Sequence, residues 1–266
     1  MASFASPLRA FAFAFGLGAC MVARVALAAD DTAYGRVLER HVRPGTVDGV
    51  RSTLVDYRAL ATDPDYPAAL RDLASAQPDA LRGDAERFAF WANAYNLLTI
   101  KTVVDRYPIA SIKDAGSFLS PIWKRKVGTV AGREMTLDEI EHDILRKQLR
   151  EPRVHFAIVC ASLSCPDLRA EPYVAERLHA QLDEQTRAFL GNPGKGLVPG
   201  EDGRSGRVSS IFKWFADDFA PAGGVATFVR THAPPDVAAR IAQLDDAGIA
   251  YLDYDWSLND TARAAR

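Results

Sequence analysis

The segment from Asp84 to Tyr107 constrains the fold more than any other part of the sequence, because apolar side chains cover nearly all of its circumference. At helical spacing, one stripe holds Phe88 and Val103, and a second face holds Trp91. A helix that is apolar nearly all round is a buried helix, not an amphipathic surface helix. The segment therefore predicts a central helix that ends before Pro108, with the rest of the chain packed around it.

The residues after this helix predict a hairpin followed by a second helix. Lys126–Val130 and Arg133–Met135, joined by Ala-Gly, have the pattern of two antiparallel strands. Thr136 and Glu139 have the spacing of a capping box, in which each side chain satisfies a free backbone amide of the other residue. We expect the capped helix to run to about Lys147.

The remaining patterns predict more helices than strands. Val154–Cys160 is short and β-branched and lies between Pro152 and a serine-rich stretch, which predicts a buried strand. Gly191–Gly206 is rich in glycine and predicts a mobile loop inserted within one domain. Further helices are expected from Pro172, near Ile211–Phe219 and around Val225–Leu244, with a last strand at Ile249–Tyr254. The predicted fold class is α+β: a mainly helical single domain over residues 29–266, with a buried central helix and a small antiparallel sheet.

Residues 1–28 have the features of a cleavable export signal of the bacterial type. Arg9 precedes an apolar run, Ala10–Ala23, and Val25–Ala28 supplies small residues before a cleavage site after Ala28. The apolar run is shorter than the roughly twenty residues that a membrane-spanning helix needs. We therefore expect a periplasmic or secreted chain with no transmembrane segment. The alternative is a lipoprotein acylated at Cys20, which would leave the apolar residues 21–29 at the start of the mature chain, where lipoproteins usually turn polar.

The charge of the mature chain bears on its partners. The sequence has 32 basic and 34 acidic residues, and the signal holds two arginines and no acid, so the mature chain has a net charge of −4. Its basic residues form no continuous block. A mildly acidic chain without a basic block argues against a nucleic-acid partner.

Two cysteines, Cys160 and Cys165, remain in the mature chain. In an oxidising compartment, two thiols this close in sequence are usually joined. The four residues between them are rich in serine and precede Pro166, so they can turn and bring the two Cα atoms within about 7 Å. We therefore predict a structural Cys160–Cys165 disulfide. The alternative is that Cys160 is a nucleophile.

Other candidate site residues are polar side chains next to apolar ones. Asn93 and Asn96 lie on the predicted central helix, where a buried amide without a partner costs about 1–3 kcal/mol. They either hold neighbouring loops, or line a pocket and orient a catalytic imidazole. On the capped helix, Glu141 lies at the edge of the buried stripe and His142 points further out. Ordinary pairing of Glu141 with Arg146 or Arg153 is the expected role of that carboxylate.

His155 and Cys160 form the most reactive group of side chains, together with Cys165. In a regular strand, residues an odd number apart lie on opposite faces, so His155 is not expected to pair with Cys160. A nucleophilic Cys160 would then need a base from elsewhere, and His142, His179 and His232 are available. The spacing matches no strong zinc pattern, and we expect no metal and no cofactor.

Four blocks of sequence, in this order along the chain, are Phe90-Trp91-x-Asn93-x-Tyr95-Asn96, Leu137-x-x-Ile140-Glu141-His142-x-Ile144-Leu145-Arg146, Arg153-Val154-His155-Phe156 running into Cys160-x-Ser162-x-Ser164-Cys165-Pro166, and Ser210-Ile211-Phe212-x-Trp214-Phe215-x-x-Asp218-Phe219. Together they resemble the family named domain of unknown function 547, over roughly residues 50 to 255. The family name implies no established activity. Such domains are similar to the papain/transglutaminase superfamily, which implies a groove like that of a thiol hydrolase, lined by motif residues.

Two classes of function follow. The first is an exported binding or assembly domain with a structural disulfide, whose ligand is a peptide, a protein or a small molecule. The second is a cysteine-dependent hydrolase or acyl transferase acting on peptide or amide bonds. In the second, Cys160 or Cys165 attacks, a histidine activates it, and Asn93 or Asn96 orients that histidine. A free thiol of low pKa favours the enzyme, whereas a disulfide nearly excludes it.

Overall fold

A long buried helix organises the fold. In the computed structural model, which describes residues 32–264, helix α4 runs from Asp84 to Val104, and every residue from Phe88 to Ile100 is buried. This confirms the central helix and its end before Pro108. The export signal, its cleavage after Ala28 and the lipobox at Cys20 lie outside the described residues. Within residues 32–264, no helix is both long and apolar enough to cross a lipid bilayer.

Helices account for most of the regular structure, and the strands form three small sheets. The α-helices are α1 Ala33–His41, α2 Tyr57–Leu60, α3 Asp65–Ala74, α4, α5 Val154–Ala157, α6 Leu178–Leu190, α7 Ile211–Trp214, α8 Ala216–Phe219, α9 Val225–His232, α10 Pro235–Arg240 and α11 Thr261–Ala264. The strands are β1 Val42–Val47, β2 Val50–Val55, β3 Lys126–Val130, β4 Arg133–Thr136, β5 Leu197–Pro199, β6 Gly206–Val208 and β7 Ile249–Tyr251. The fold class is α+β, as predicted. The sheets are the antiparallel pairs β1–β2 and β3–β4 and a mixed sheet in which β6 pairs antiparallel with β5 and parallel with β7.

The hairpin β3–β4 and its capping box are confirmed. The Thr136 N–H donates to Glu139 Oε2 at 2.7 Å, and the Glu139 N–H donates to Thr136 Oγ1 at 3.0 Å. The element that follows is a π-helix, Glu139–Leu149, where the capping box predicted an α-helix. Hairpin β1–β2 was not predicted, although its two-residue turn Asp48-Gly49, with φ of 51° and 81°, is a strong sequence signal for such a turn.

The prediction of a strand at Val154–Cys160 is wrong. Val154–Ala157 forms one helical turn, α5, closed by a bond from the Ile158 N–H to the Val154 carbonyl, and the chain is extended only after it. The side-chain amide of Asn96 donates to the Ala157 carbonyl and accepts from the Val159 N–H. Because α4 satisfies these backbone groups, no neighbouring strand is needed to satisfy them.

The loop predicted at Gly191–Gly206 is also wrong in part. Residues 197–199 and 206–208 pair as β5 and β6, so the segment closes into a hairpin. Its only lysine, Lys195, is fully buried, and its Nζ donates to Asp167 Oδ1 at 2.7 Å and to Ser52 Oγ at 3.0 Å. This buried ion pair anchors the segment to strand β2 and to the residues just after Cys165.

Two apolar clusters meet at the segment that carries His155. The larger one surrounds α4 and includes Val154 and Ala157. The smaller one is built mainly from phenylalanines and includes Phe156. The single turn α5 therefore contributes side chains to both clusters, and its His155 lies at their boundary. Phenylalanines of the smaller cluster are Phe156, Phe189, Phe212, Phe219 and Phe228.

Candidate functional site

A cavity of about 370 Å³ brings the motif residues together. Its volume is within the range of small-molecule sites, roughly 300–1,000 Å³. The charged residues, histidines and cysteines on its wall are Lys124, Asp138, Glu141, His142, His155, Cys160 and Cys165. Three of the four tryptophans also line it, with two tyrosines and a phenylalanine: Tyr95, Trp123, Trp214, Phe215, Tyr254 and Trp256. Few polar groups on an aromatic wall are the composition of a ligand site.

Asn96 positions the chain immediately before Cys160. Its two amide hydrogen bonds, both 2.9 Å long, fix the Ala157 carbonyl and the Val159 N–H. Asn93 holds a second loop in the same way, through bonds of 2.8 and 2.9 Å to the carbonyl and N–H of Tyr173. Both amides are buried behind the cavity wall. Of the two roles considered for these asparagines, the structure displays the first, since each holds a neighbouring loop.

A tight turn presents Cys160 to the cavity. Ala161, the next residue, has a left-handed φ of 56°, a conformation that is uncommon for a residue other than glycine. The Cys165 N–H then donates to the Ser162 carbonyl at 3.1 Å, so the chain folds back on itself as the serine-rich sequence predicted. Unusual backbone conformations of this kind concentrate at functional sites, where the surrounding structure maintains them.

No disulfide joins the two cysteines in the structure, so the predicted bond is not observed. Cys160 and Cys165 are both free thiols. The turn brings them to 3.1 Å of each other, which is longer than a disulfide bond, and both sulfurs also contact other partners. Cys165 Sγ accepts a hydrogen bond from the Cys160 N–H at 2.8 Å, and Cys160 Sγ lies 3.1 Å from Ser162 Oγ and 3.2 Å from the Tyr254 hydroxyl.

The two thiols differ in acidity. Burial alone would raise the pKa of Cys160, but hydrogen bonds from the Cys165 thiol and the hydroxyls of Ser162 and Tyr254 favour the thiolate and lower this pKa to about 7. Burial and the adjacent Cys160 raise the pKa of Cys165 well above its ordinary value. Cys160 is therefore the more acidic thiol of the pair, and Cys165 is a neutral hydrogen-bond donor.

A network of charged groups fixes His155. Its Nε2 lies 2.7 Å from Asp218 Oδ2, and its ring stacks on Phe215 with the ring centres 4.1 Å apart. Arg146 binds both oxygens of Asp218, at 2.6 and 3.0 Å. Burial lowers the pKa of His155, and the bond to Asp218 opposes this shift only in part. Burial would raise the pKa of Asp218, but the bonds from His155 and Arg146 outweigh it and hold this pKa well below its ordinary value.

These contacts assign the tautomers of two histidines. A carboxylate only accepts hydrogen bonds, so Nε2 of His155 carries the hydrogen and Nδ1 of the neutral ring is free to take a proton. Arg146 Nη1 lies 2.7 Å from His142 Nδ1, and because a guanidinium only donates, that nitrogen of His142 is the acceptor. His155 therefore has the tautomer of a general base, and His142 has that of a hydrogen-bond donor through Nε2.

In the described part of the chain, His155 does not hydrogen-bond to Cys160, as expected, but the two residues line one cavity and do not lie on opposite faces of a strand. The argument assumed a regular strand, whereas the chain makes a helical turn between the two residues. Neither His179 nor His232 lines this cavity. Among the hydrogen bonds within residues 32–264, none joins His155 to Cys160. Catalytic hydrogen bonds often form only when a substrate is bound, so this separation is compatible with a base role.

Glu141 is a buried carboxyl group on the cavity wall. Its Oε2 accepts a hydrogen bond from the Tyr95 hydroxyl at 3.1 Å, and burial raises its pKa. The expected pairing with Arg146 or Arg153 is wrong, because Arg146 binds Asp218 and Arg153 binds Glu151 and Asp183. A carboxyl group with a raised pKa can act as a proton donor.

Sequence reasoning missed the C-terminal part of the wall. Residues 254–259 run alongside the cysteine turn, with the N–H groups of Ser164 and Leu163 donating to the carbonyls of Asp255 and Ser257. This pairing brings Tyr254 to Cys160 and places Trp256 between Trp123 and Trp214, with ring centres 5.7 and 5.8 Å away. Asp218 lay within a quoted motif but received no role there. The signal available for Tyr254 and Trp256 was a cluster of aromatic residues near the C-terminus.

Searches among curated proteins and among solved structures returned no match. Residues 78–190 match the family described as "Protein of unknown function, DUF547". The matched range includes helix α4, the π-helix and the cysteine turn, and ends before Asp218 and Tyr254. The similarity to the papain/transglutaminase superfamily stays a prediction. The match confirms the resemblance over residues 78–190, which contain the first three of the four sequence blocks, whereas the fourth, at residues 210–219, lies outside the matched range.

Proposed function

We propose that this domain is a cysteine-dependent hydrolase or acyl transferase that acts on amide or related acyl bonds. One observation carries the proposal: the free Cys160 thiol, with a pKa lowered to about 7, lies on the wall of a cavity that also holds the His155–Asp218 pair. A thiol of that pKa is about half ionised near neutral pH. Cys160 would therefore need little further activation to act as a nucleophile.

The residues on the wall can be assigned to successive proton transfers. Cys160 gives its proton to His155 Nδ1, and the thiolate attacks the carbonyl carbon of the substrate. The C–S bond forms, the bond to the leaving group breaks, and the leaving group takes the proton from His155. In the second half, His155 takes a proton from water or from an acceptor alcohol or amine, which attacks the thioester and releases Cys160. Asp218 holds the His155 ring and stabilises its protonated form.

The aromatic wall indicates the kind of substrate. Trp123, Trp214 and Trp256 form a continuous aromatic surface beside Tyr254, and Trp214 is 47% exposed. Such surfaces bind flat or apolar groups through area contact, and they leave orientation to a few polar groups. We therefore expect an acyl donor with an apolar or aromatic portion next to the reacting carbonyl.

A non-catalytic binding domain is the second candidate. The observation that favours it is the absence, within the described part of the chain, of a hydrogen bond between Cys160 and His155. In that case the aromatic cavity binds a peptide or small-molecule ligand and the thiol takes no part. Substitution of Cys160 by serine would then leave ligand affinity and every measurable property of the cavity nearly unchanged.

Covalent labelling separates the two candidates. The protein is mixed with activated aryl esters, and the intact mass is recorded together with the release of the aryl alcohol. We expect one acyl group per chain in the wild type and none in Cys160→Ser, since serine has no low-pKa thiolate. Cys165→Ala is the matched control: it removes a hydrogen bond to Cys160, so acylation should persist with its pH dependence moved upward. Equal labelling of the Cys160→Ser variant contradicts the enzyme proposal.

We further propose that the protein acts outside the cytoplasm, on the basis of its N-terminal sequence. The mass of the protein recovered from expressing cells should correspond to a chain that begins at Ala29. A diacylglyceryl group on Cys20 would instead assign it to a membrane surface.

A further inference from the structure

Two large apolar side chains project into water at the tip of a short turn beside the cavity. Phe118 is 98% exposed and Leu119 is 91% exposed. Single exposed apolar residues are common on protein surfaces, but two adjacent ones with almost no protein contact are not. Within residues 32–264 they contribute almost no burial to the fold, so packing in this part of the chain gives no reason for them.

The turn is braced. The N–H groups of Ser117 and Ser120 each donate to the other residue's carbonyl, at 3.0 and 3.2 Å, which closes a two-residue turn with Phe118 and Leu119 at its tip. Arg125 then binds the base of this turn: its Nε lies 3.0 Å from both the carbonyl and the hydroxyl of Ser120. Gly116 precedes the turn, and a side chain there would lie 2.5 Å from the Ile122 nitrogen. The chain therefore holds the two apolar side chains outward.

Basic residues surround the tip. Lys113 and Lys124 flank the turn in sequence and are exposed. A groove on the adjoining surface is lined by five basic and two acidic residues: Arg71, Lys101, Arg106, Arg125 and Lys126, against Asp105 and Glu134. Acidic residues offset part of this charge: Lys101 pairs with Asp105, Lys126 pairs with Glu139, and the exposed Asp114 lies next to Lys113. The surface around the tip still has an excess of basic residues, although the chain as a whole carries a net charge of −2.

We propose that residues 117–120 anchor the protein to an anionic lipid surface. Phe118 and Leu119 insert into the boundary between headgroups and acyl chains, and the surrounding lysines and arginines bind the anionic headgroups. A protein partner fits less well, because protein interfaces bury broad patches of about 800 Å² on each side, whereas this is a convex tip of two residues. Pro121, Trp123 and Lys124 line the cavity, so docking would place its wall beside the lipid.

Vesicle sedimentation tests this proposal with the mature protein. Vesicles of phosphatidylethanolamine with phosphatidylglycerol are compared with vesicles of phosphatidylcholine. We expect wild-type binding to the anionic vesicles that weakens with added salt, and weaker binding to phosphatidylcholine. The double variant Phe118→Ser, Leu119→Ser should bind the anionic vesicles roughly tenfold less or worse. Its melting temperature should equal that of the wild type, because both side chains lie in water.

Two control variants test whether vesicle binding depends on another exposed aromatic residue or on the proposed catalytic thiol. Tyr251→Ser removes another exposed aromatic side chain, 40% exposed, and should bind vesicles like the wild type. Cys160→Ser should also bind normally, so failure of the proposed acyl-transfer function leaves this test intact. Equal vesicle binding by the wild type and the double variant, or no binding of the wild type to anionic vesicles, would overturn the proposal.

Discussion

Cys160 and His155 lie on the wall of the same cavity, but different groups fix the protonation of each side chain. Around Cys160 the partners are neutral: the Cys165 thiol and the hydroxyls of Ser162 and Tyr254. Around His155 they are charged: Asp218 and, through it, Arg146. The thiol is thus tuned by individual hydrogen bonds. The imidazole, in contrast, is held by a hydrogen bond to Asp218, whose carboxylate also forms an ion pair with Arg146 that supports the fold.

The two sides also differ in where their residues come from in the sequence. Cys160, Ser162 and Cys165 belong to one turn, and Asn96 fixes the chain just before it. The charged side joins the π-helix, helix α5 and helix α8, which contribute Arg146, His155 and Asp218. A substitution on the cysteine side should therefore change reactivity more than stability. A substitution on the charged side should change both.

The largest expected effect on stability comes from Asn96, whose side chain holds the backbone between His155 and Cys160. Asn96→Leu leaves the Ala157 carbonyl and the Val159 N–H buried without partners, and we expect a loss of about 2–4 kcal/mol in the free energy of unfolding. Denaturant titration measures it. Thr99→Val is the matched control on the same helix, because the buried Thr99 hydroxyl has no hydrogen-bond partner among residues 32–264 and its loss should cost little. Similar stabilities for the two variants would mean that Asn96 does not support the cysteine turn.

A smaller effect is expected from Asp218→Asn, which tests the charged side. Arg146 loses its carboxylate, so we expect a loss of about 1–3 kcal/mol near neutral pH. The pKa of His155 should fall further, because burial would act without the opposing carboxylate. Proton NMR of the His155 ring during a pH titration measures that shift, and denaturant titration measures the stability.

The difference in stability between the wild type and Asp218→Asn should depend on pH in a predictable direction. The pKa of Asp218 is lowered in the folded state, so the stabilisation it gives is complete above the pKa of about 3.9 that an unfolded aspartate has, and is lost as the pH falls below it. The gap in stability between the wild type and Asp218→Asn should widen as the pH falls from neutral to mildly acidic values, because the pKa of His155 is lowered further in the variant, which therefore loses more stability as histidines become protonated. It should narrow again below about pH 3.9, where Asp218 begins to lose its stabilising effect. A gap that did not narrow in strong acid would show that Asp218 makes no stabilising contact with Arg146 and His155 in the folded protein.

The smallest effect on stability, with a clear effect on reactivity, is expected from Tyr254→Phe. Removal of one hydroxyl from Cys160 Sγ raises the pKa of that thiol, so labelling by iodoacetamide at neutral pH should slow by roughly threefold or more. Tyr107→Phe is the control, since the Tyr107 hydroxyl binds Asp260 and not the thiol. Labelling that is unchanged in Tyr254→Phe would contradict the tuning of Cys160 by neutral hydroxyls.

Local patterns predicted local structure well. Apolar side chains on nearly all sides of residues 84–107 identified the buried helix α4, and the Thr136–Glu139 spacing identified the capping box. Both patterns depend only on residues close in sequence. The failures involve distant contacts. Asn96 satisfies the backbone at residues 157–159, so a β-branched segment forms a helical turn and an extended stretch instead of a strand.

The sequence identified several residues of the candidate site, but not the contacts that these residues make. Cys160, His155, His142 and Glu141 were all singled out, and all of them line the cavity. Their partners could not be derived, because Asp218 and Tyr254 are 63 and 94 residues away in sequence from the side chains they contact. The disulfide was expected from the compartment, the spacing and a serine-rich turn. The turn is present, but the two cysteines stay 3.1 Å apart as free thiols.

The left-handed conformation of Ala161 limits which sequences can replace this turn. A β-branched residue there would be strained by its own backbone, whereas glycine or asparagine would adopt the same φ at little cost. Ala161 is also buried, so the side chain must be small. An engineer who transplanted residues 160–165 into another scaffold would therefore have room to vary the serines, but would be confined at position 161 to about two or three amino acids.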